Sequence, residues 1–308
     1  MAEKYSPIED YAQSANTLFH FMTKDVYLQA ALQRRALVPR YCVENVEYLE
    51  IGSESSKFSE IQVLQKCFCD IPFHKLADSF NVQGTGEPFE SLSQSEKDEL
   101  GKHNTHFDYY GRYAISFSKI WGERCNLQPI QYINSRSYYS HSFSNTINAA
   151  LSAEDSSDVL VQDILYRIAF CKPLRGIMHR RFNRENGSLA DVEIYKNFHD
   201  ECEWRYVPSF EDLSGFKIQN IIANPNLFKY SSSINKRLED EQYRQLWLGF
   251  DYDDIRYIVV PDATARIKII NTILSLPDDQ FHQTESIPVQ KSILISKILV
   301  LDEIRKDW

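Results

Sequence analysis

The string Glu201-Cys202-Glu203-Trp204-Arg205-Tyr206 constrains this chain more than any other. Read as extended backbone, it sends alternate side chains to opposite faces. Glu201, Glu203 and Arg205 then share one side, while Cys202, Trp204 and Tyr206 share the other and point into a core. Pro208 ends the strand. Two carboxylates on one strand face suit chemistry on a sugar, where a carboxylate stabilises positive charge developing at an anomeric carbon. The plain alternative is a pair of solvated carboxylates, one of them paired to Arg205. An earlier string, Cys67-Phe68-Cys69-Asp70-Ile71-Pro72, is the second marked feature.

The remainder of the chain sets bounds on partners and compartment. Its 308 residues are 43% hydrophobic and 13% aromatic, enough for a substantial core. A formal net charge of -9 opposes binding of a polyanion over the whole surface, so any nucleic-acid contact needs a local basic patch. Lys172, Arg175, Arg180, Arg181 and Arg184, with His179 and Phe182 between them, form such a patch. The cysteines at 42, 67, 69, 125, 171 and 202 make no C-x-x-C pair, which points to reduced thiols and not to zinc. Met1–Asp10 is polar and acidic, unlike a signal peptide, and no apolar run approaches the ~18 residues a membrane span needs. A soluble, cytoplasmic protein without metal or membrane contact is expected.

Along the chain, Tyr27, Leu28, Ala31 and Leu32 recur as one buried face of a helix over Lys24–Arg35, and a further helix is expected before it, from residue 8. Strands are expected at Leu18–Phe21, Val46–Ile51, Ile61–Ile71, Tyr113–Phe117, Pro129–Ile133, Glu201–Val207 and Ile255–Val260. Two polar stretches, 83–99 and 134–157, read as surface excursions, with Ala153–Asp158 the most mobile point. From Leu238 onward helix and strand alternate. These features predict a single α+β domain over 1–308.

Several motifs together resemble the AbiGi family of abortive-infection (phage-resistance) proteins. They are Leu18–Phe21, Pro39-Arg40-Tyr41 with Glu44, Cys67–Pro72, His106–Tyr113, Lys119-Ile120-Trp121, Pro129–Tyr132, Lys172-Pro173, Glu201–Pro208 and Asp254–Val260. The resemblance covers nearly the whole chain and implies one half of a two-gene bacterial system, with a cognate toxin or antitoxin as partner protein. The order His20, Tyr110, Glu203 also resembles ADP-ribosyltransferases of the histidine–tyrosine–glutamate type. That likeness implies a split β-sheet core with helical insertions, NAD as co-substrate, and His20 and Glu203 facing one cleft. In it His20 would bond ribose hydroxyls, Arg40 the pyrophosphate, and Tyr110, with Tyr113 second, would stack on nicotinamide. Glu203 would hold the ribose 2′-hydroxyl and stabilise the oxocarbenium ion, while Glu201 would act on the acceptor. Arg175, Arg180, Arg181 and Phe182 would then guide an RNA, DNA or protein acceptor. The competing reading is a non-catalytic antitoxin or regulator that binds a partner protein. The spacing of Arg175 and His179 fits the usual nucleolytic Arg–His helix motif poorly.

Overall fold

A computed structural model describes residues 14–53, 56–153 and 158–306. The helix expected from residue 8 falls mostly outside these residues, as does most of the Ala153–Asp158 stretch. An α+β architecture is organised on a nine-stranded sheet. From one edge the sheet runs Ile298–Val300, Ile255–Val260, Tyr113–Ser118, Thr17–Met22, Glu60–Cys69, Glu203–Tyr206 and Gln128–Pro129. Its middle strands are apolar on both sides because both faces are covered. Leu18 and Phe19, adjacent in Thr17–Met22, are each fully buried.

The strand Thr17–Met22 pairs with Tyr113–Ser118 along its whole length, from Thr17 opposite Ser118 to Met22 opposite Tyr113. Against Glu60–Cys69 it makes one register pair, Phe19 opposite Cys69. Past that point the two strands part. Arg40–Asn45 takes over the vacated edge of Glu60–Cys69, with Arg40 opposite Gln65 and Asn45 opposite Glu60. The other edge of the same strand carries Glu203–Tyr206, Glu203 opposite Cys69 and Arg205 opposite Cys67.

One face of the sheet packs Leu18, Phe68, Ile115, Phe117, Trp121 and Trp204 against helices Asp25–Arg34 and Ala263–Leu274. Phe117 and Trp121 stack there with ring centroids 3.9 Å apart. The opposite face gathers Phe19, Ile71, Phe107, Ala114 and Val259. Helix Asp25–Arg34 buries Leu28, Ala31 and Leu32, whereas Tyr27, expected on that face, is exposed. Arg35, left-handed at φ 51, closes the helix by returning its N–H to the carbonyls of Ala31 and Leu32.

Three segments differ from the sequence reading. Val46–Ile51 is a 3₁₀ turn over Glu47–Leu49, because the Asn45 side chain accepts a hydrogen bond from the Glu47 N–H and bends the chain out of the preceding strand. The basic segment, absent from the expected strands, is the strand Arg175–Asn183. It pairs with Leu189–Asn197, which pairs in turn with Val82–Thr85. The 83–99 stretch therefore belongs partly to a three-stranded sheet, packed through Leu92, Leu100, Val192 and Ile194. The 134–157 stretch carries the helix Tyr138–Ser152. Among the described residues no helix is long and apolar enough to cross a membrane.

Candidate functional site

Phe198–Glu201 forms a 3₁₀ turn and Cys202 is left-handed at φ 44, so the strand begins only at Glu203. The expected continuous strand face fails at Cys202, which is exposed instead of packed in the core. The left-handed residue still turns the Glu201 and Glu203 carboxylates toward a common ammonium. Lys172 Nζ lies 2.6 Å from Glu201 Oε2 and 3.0 Å from Glu203 Oε2. Lys196 Nζ lies 2.8 Å from Glu201 Oε1, and the Tyr110 hydroxyl donates to that same oxygen. Arg205 Nε donates to Glu203 Oε1 at 2.6 Å. The same guanidinium reaches Glu44 Oε2 at 3.0 Å and the Ala169 carbonyl at 2.7 Å.

Three carboxylates thus meet three cations, and the centre is buried, with Lys172 and Glu44 at its partly exposed rim. Arg205 is 0% exposed, Lys196 1%, Glu201 3% and Glu203 5%. Aromatic rings complete the enclosure, with Lys196 Nζ 3.4 Å from the Phe80 ring centroid and Lys172 Nζ 4.7 Å from that of Phe198. Burial alone would raise the Glu203 carboxyl, but Arg205 and Lys172 overrule it and hold the group well below the usual carboxylate range. Burial likewise opposes ionisation of Glu201, and Lys172 and Lys196 overcome it. Every oxygen of these two carboxylates has a cationic partner. Neither is free to take a proton from a nucleophile or to hold a ribose hydroxyl.

A separate cleft of about 540 Å³ opens where Thr17–Met22 and Glu60–Cys69 part. His20, Phe21 and Met22 form one wall, and Lys66 and Arg40 stand on the other strands. His20 Nδ1 lies 2.8 Å from the Cys67 carbonyl and ties the diverging strands together. Burial, reinforced by the charge of Lys66, brings His20 down to about 3, so its ring is neutral. Nδ1–H is then the donor to Cys67, which leaves Nε2 as an acceptor. Arg34 and Arg40 both pair with Glu239, the first at 3.2 Å. Glu44, close to Arg40 in sequence, pairs instead with Arg205.

The residues picked out from sequence distribute between these two centres. His20, Arg40 and Tyr110 line the cleft, while Glu201 and Glu203 lie in the ion cluster, which Tyr110 joins to the cleft. His20 and Glu203 do not face one cleft as expected. The strand Glu60–Cys69 stands between theirs, and the register Phe19–Cys69–Glu203 puts Glu203 on the face of Phe19, opposite to its neighbour His20. Tyr113 packs against the main apolar cluster, away from the cleft walls. Gly111, next to Tyr110, sits at φ 110 where an added Cβ would fall 2.2 Å from the Met22 carbonyl oxygen, so its close approach is to the chain itself. Arg175 and Arg181 point to solvent. Arg180 turns inward to Asn104 Oδ1 at 2.9 Å, and Phe182 packs in the satellite cluster, so the four do not form one surface.

Sequence reasoning passed over Lys196, Glu44 and Lys66. Lys196 was legible, because it continues the inward alternation Val192, Ile194, Lys196 of its strand. Glu44 carries no such signal, since its partner Arg205 comes from a remote segment, and Lys66 none because the cleft it lines is assembled from remote segments.

Residues 82–261 match the family described as "Putative abortive phage resistance protein AbiGi, antitoxin". A curated relative from Lactococcus lactis subsp. cremoris, "Abortive phage resistance protein AbiGi", is 34% identical over 286 residues, which is 89% of this chain and 100% of the relative. The chain belongs to the AbiGi family. The family is one of abortive phage resistance. No solved structure matches. The AbiGi segment 82–261 includes Tyr110, Lys172, Lys196 and Glu201–Arg205 of the buried cluster, and it excludes His20 and Lys66 of the cleft.

Proposed function

We infer that this AbiGi protein is the antitoxin of a phage-defence pair, a regulator that binds a partner protein and does no chemistry with its carboxylates. The observation that carries the reading is the complete pairing of Glu201 and Glu203 inside a buried, charge-balanced cluster. A cluster of that kind organises a scaffold, because each ion leaves water only in exchange for a partner. The family description as antitoxin supports it. The test is growth. The chain expressed by itself should leave a bacterial host unharmed, and it should relieve the arrest caused by its cognate toxin. Arrest by this chain alone, relieved by Glu203→Gln in a protein that remains folded, would overturn the reading.

One observation favours a second reading, an NAD-dependent ADP-ribosyltransferase effector in the same defence setting. Three of the residues that resemblance singles out, His20, Arg40 and Tyr110, line one cleft. For that chemistry Lys172 would have to release at least one carboxylate on binding. Its acceptor, RNA, DNA or protein, would meet Arg175 and Arg181 on the outer hairpin face. There Asp191 and Glu193 stand opposite Arg181 and His179 and offset much of the positive charge. Transfer of labelled ADP-ribose from NAD to any acceptor fraction, lost in Glu203→Gln, is the result that would support it.

A further inference from the structure

The wall of the cleft holds a charge that nothing on the protein balances. Arg34, Arg40 and Lys66 all line it, against the single carboxylate of Glu239. Glu239 is shared between the two arginines. Among the described residues Lys66 makes no ion pair or hydrogen bond, although it sits in the strand Glu60–Cys69 with its side chain partly buried. Ammonium groups withdrawn from water are ordinarily paired, and an unpaired one at the wall of an open cleft marks a place for an anion. Apolar residues Val26, Tyr27, Ala30, Leu37 and Val38 line the cleft beside these cations. The Tyr27 ring is exposed, and the guanidinium of Arg40 stands 6.0 Å from its centroid.

We propose that this cleft binds a phosphate ester of nucleotide size, its phosphate held by Lys66 and Arg40 and its ring against Tyr27 and the apolar wall. The volume suits such a ligand, since small-molecule sites span roughly 300–1,000 Å³. Lys66 is drawn down to about 8 by burial, with Arg40 adding to the effect, so an arriving dianion restores a full charge to the ammonium as it binds. The cleft is the one that the transferase reading would give to NAD, and ADP that binds without any transfer of ADP-ribose keeps the proposal while removing that reading. The proposal requires only that the cleft accept an anion, and its failure leaves the antitoxin reading, tested by growth, where it stands.

The experiment is calorimetric titration of the full chain with ADP, adenosine and inorganic pyrophosphate. ADP should bind, pyrophosphate should compete with it, and adenosine should bind at least about tenfold more weakly, because it lacks the charge-assisted bonds. Added salt should weaken ADP and leave adenosine unchanged. Lys66→Met should weaken ADP by about tenfold or more, Lys66→Arg should restore most of the affinity, and Glu239→Gln should tighten it. Wild-type protein that ignores millimolar ADP, or that binds adenosine as well as ADP, overturns the proposal without recourse to any variant. So does a folded Lys66→Met protein with undiminished affinity.

Discussion

At the scale of single residues, the buried cluster behaves as a unit whose members cannot be removed one at a time. Glu203→Gln takes one charge from Arg205, a side chain with no exposure of its own. Breaking a buried pair in this way costs ~3–5 kcal/mol, so the urea midpoint of the variant should fall by an amount that is easily read. A catalytic carboxylate held in an open site would show no such loss. His106 makes a different case. It is buried, both its ring nitrogens lack partners, and burial followed by the nearby Lys196 charge brings it down to about 3. The unfolded histidine takes up a proton near its usual value of 6.5, while the folded one stays neutral until about 3. In that window the unfolded state binds more protons, so stability falls as pH falls, by about 1.4 kcal/mol per pH unit for one histidine. His20 acts with the same sign. The carboxyls of Glu201 and Glu203, held low, contribute stability that is full above their unfolded values and lost on further acidification. Denaturant midpoints measured from pH 7 to 4 should therefore decline from about pH 6.5 and steepen below about pH 4.5. His106→Leu should flatten the first part of that curve and leave stability at pH 7 unchanged or higher, because an apolar side chain has no orphaned donor there.

At the scale of elements, the turn after the helix His106–Tyr110 matters most, since Tyr110 touches both the cleft and the cluster. Gly111→Ala combines a left-handed φ with a clash against the Met22 carbonyl, and should destabilise by about 2–4 kcal/mol in a thermal melt. Much of this architecture was legible in the sequence. The strands Glu60–Cys69, Tyr113–Ser118 and Ile255–Val260 announce themselves as apolar runs, and helix Asp25–Arg34 by its spacing. The sequence did not reveal the break at Cys202, because a left-handed non-glycine residue has no signature in composition. Nor did it reveal the hairpin, where Arg175, His179 and Arg181 alternate with Gly176, Met178 and Arg180 in place of a clear apolar–polar rhythm. The candidate site was legible as a set of residue types but not as a geometry. Which face Glu203 takes depends on a register with Cys69 and Phe19, and register is a property of three strands at once.

At the scale of the whole molecule, the sheet interleaves segments far apart in the chain. Thr17–Met22 lies between Tyr113–Ser118 and Glu60–Cys69, and Ile298–Val300 pairs parallel with Ile255–Val260. The segment 82–261, which carries the family signature, lacks both Thr17–Met22 and Glu60–Cys69. Expressed alone, it should be insoluble or unfolded by circular dichroism, since removal of the two middle strands leaves Tyr113–Ser118 and Glu203–Tyr206 with open edges facing each other across the gap in a buried sheet. The order of the strands also sets a timetable for synthesis. The buried ion cluster draws on residues from Glu44 to Arg205 and can close while the rest of the chain is still being made. The sheet cannot: Ile255–Val260 waits for Ile298–Val300, and pairings so distant along the chain are slow to find. Each new copy therefore passes through an interval in which a hydrophobic strand edge stands open on the ribosome, a target for proteases and chaperones before the fold is finished.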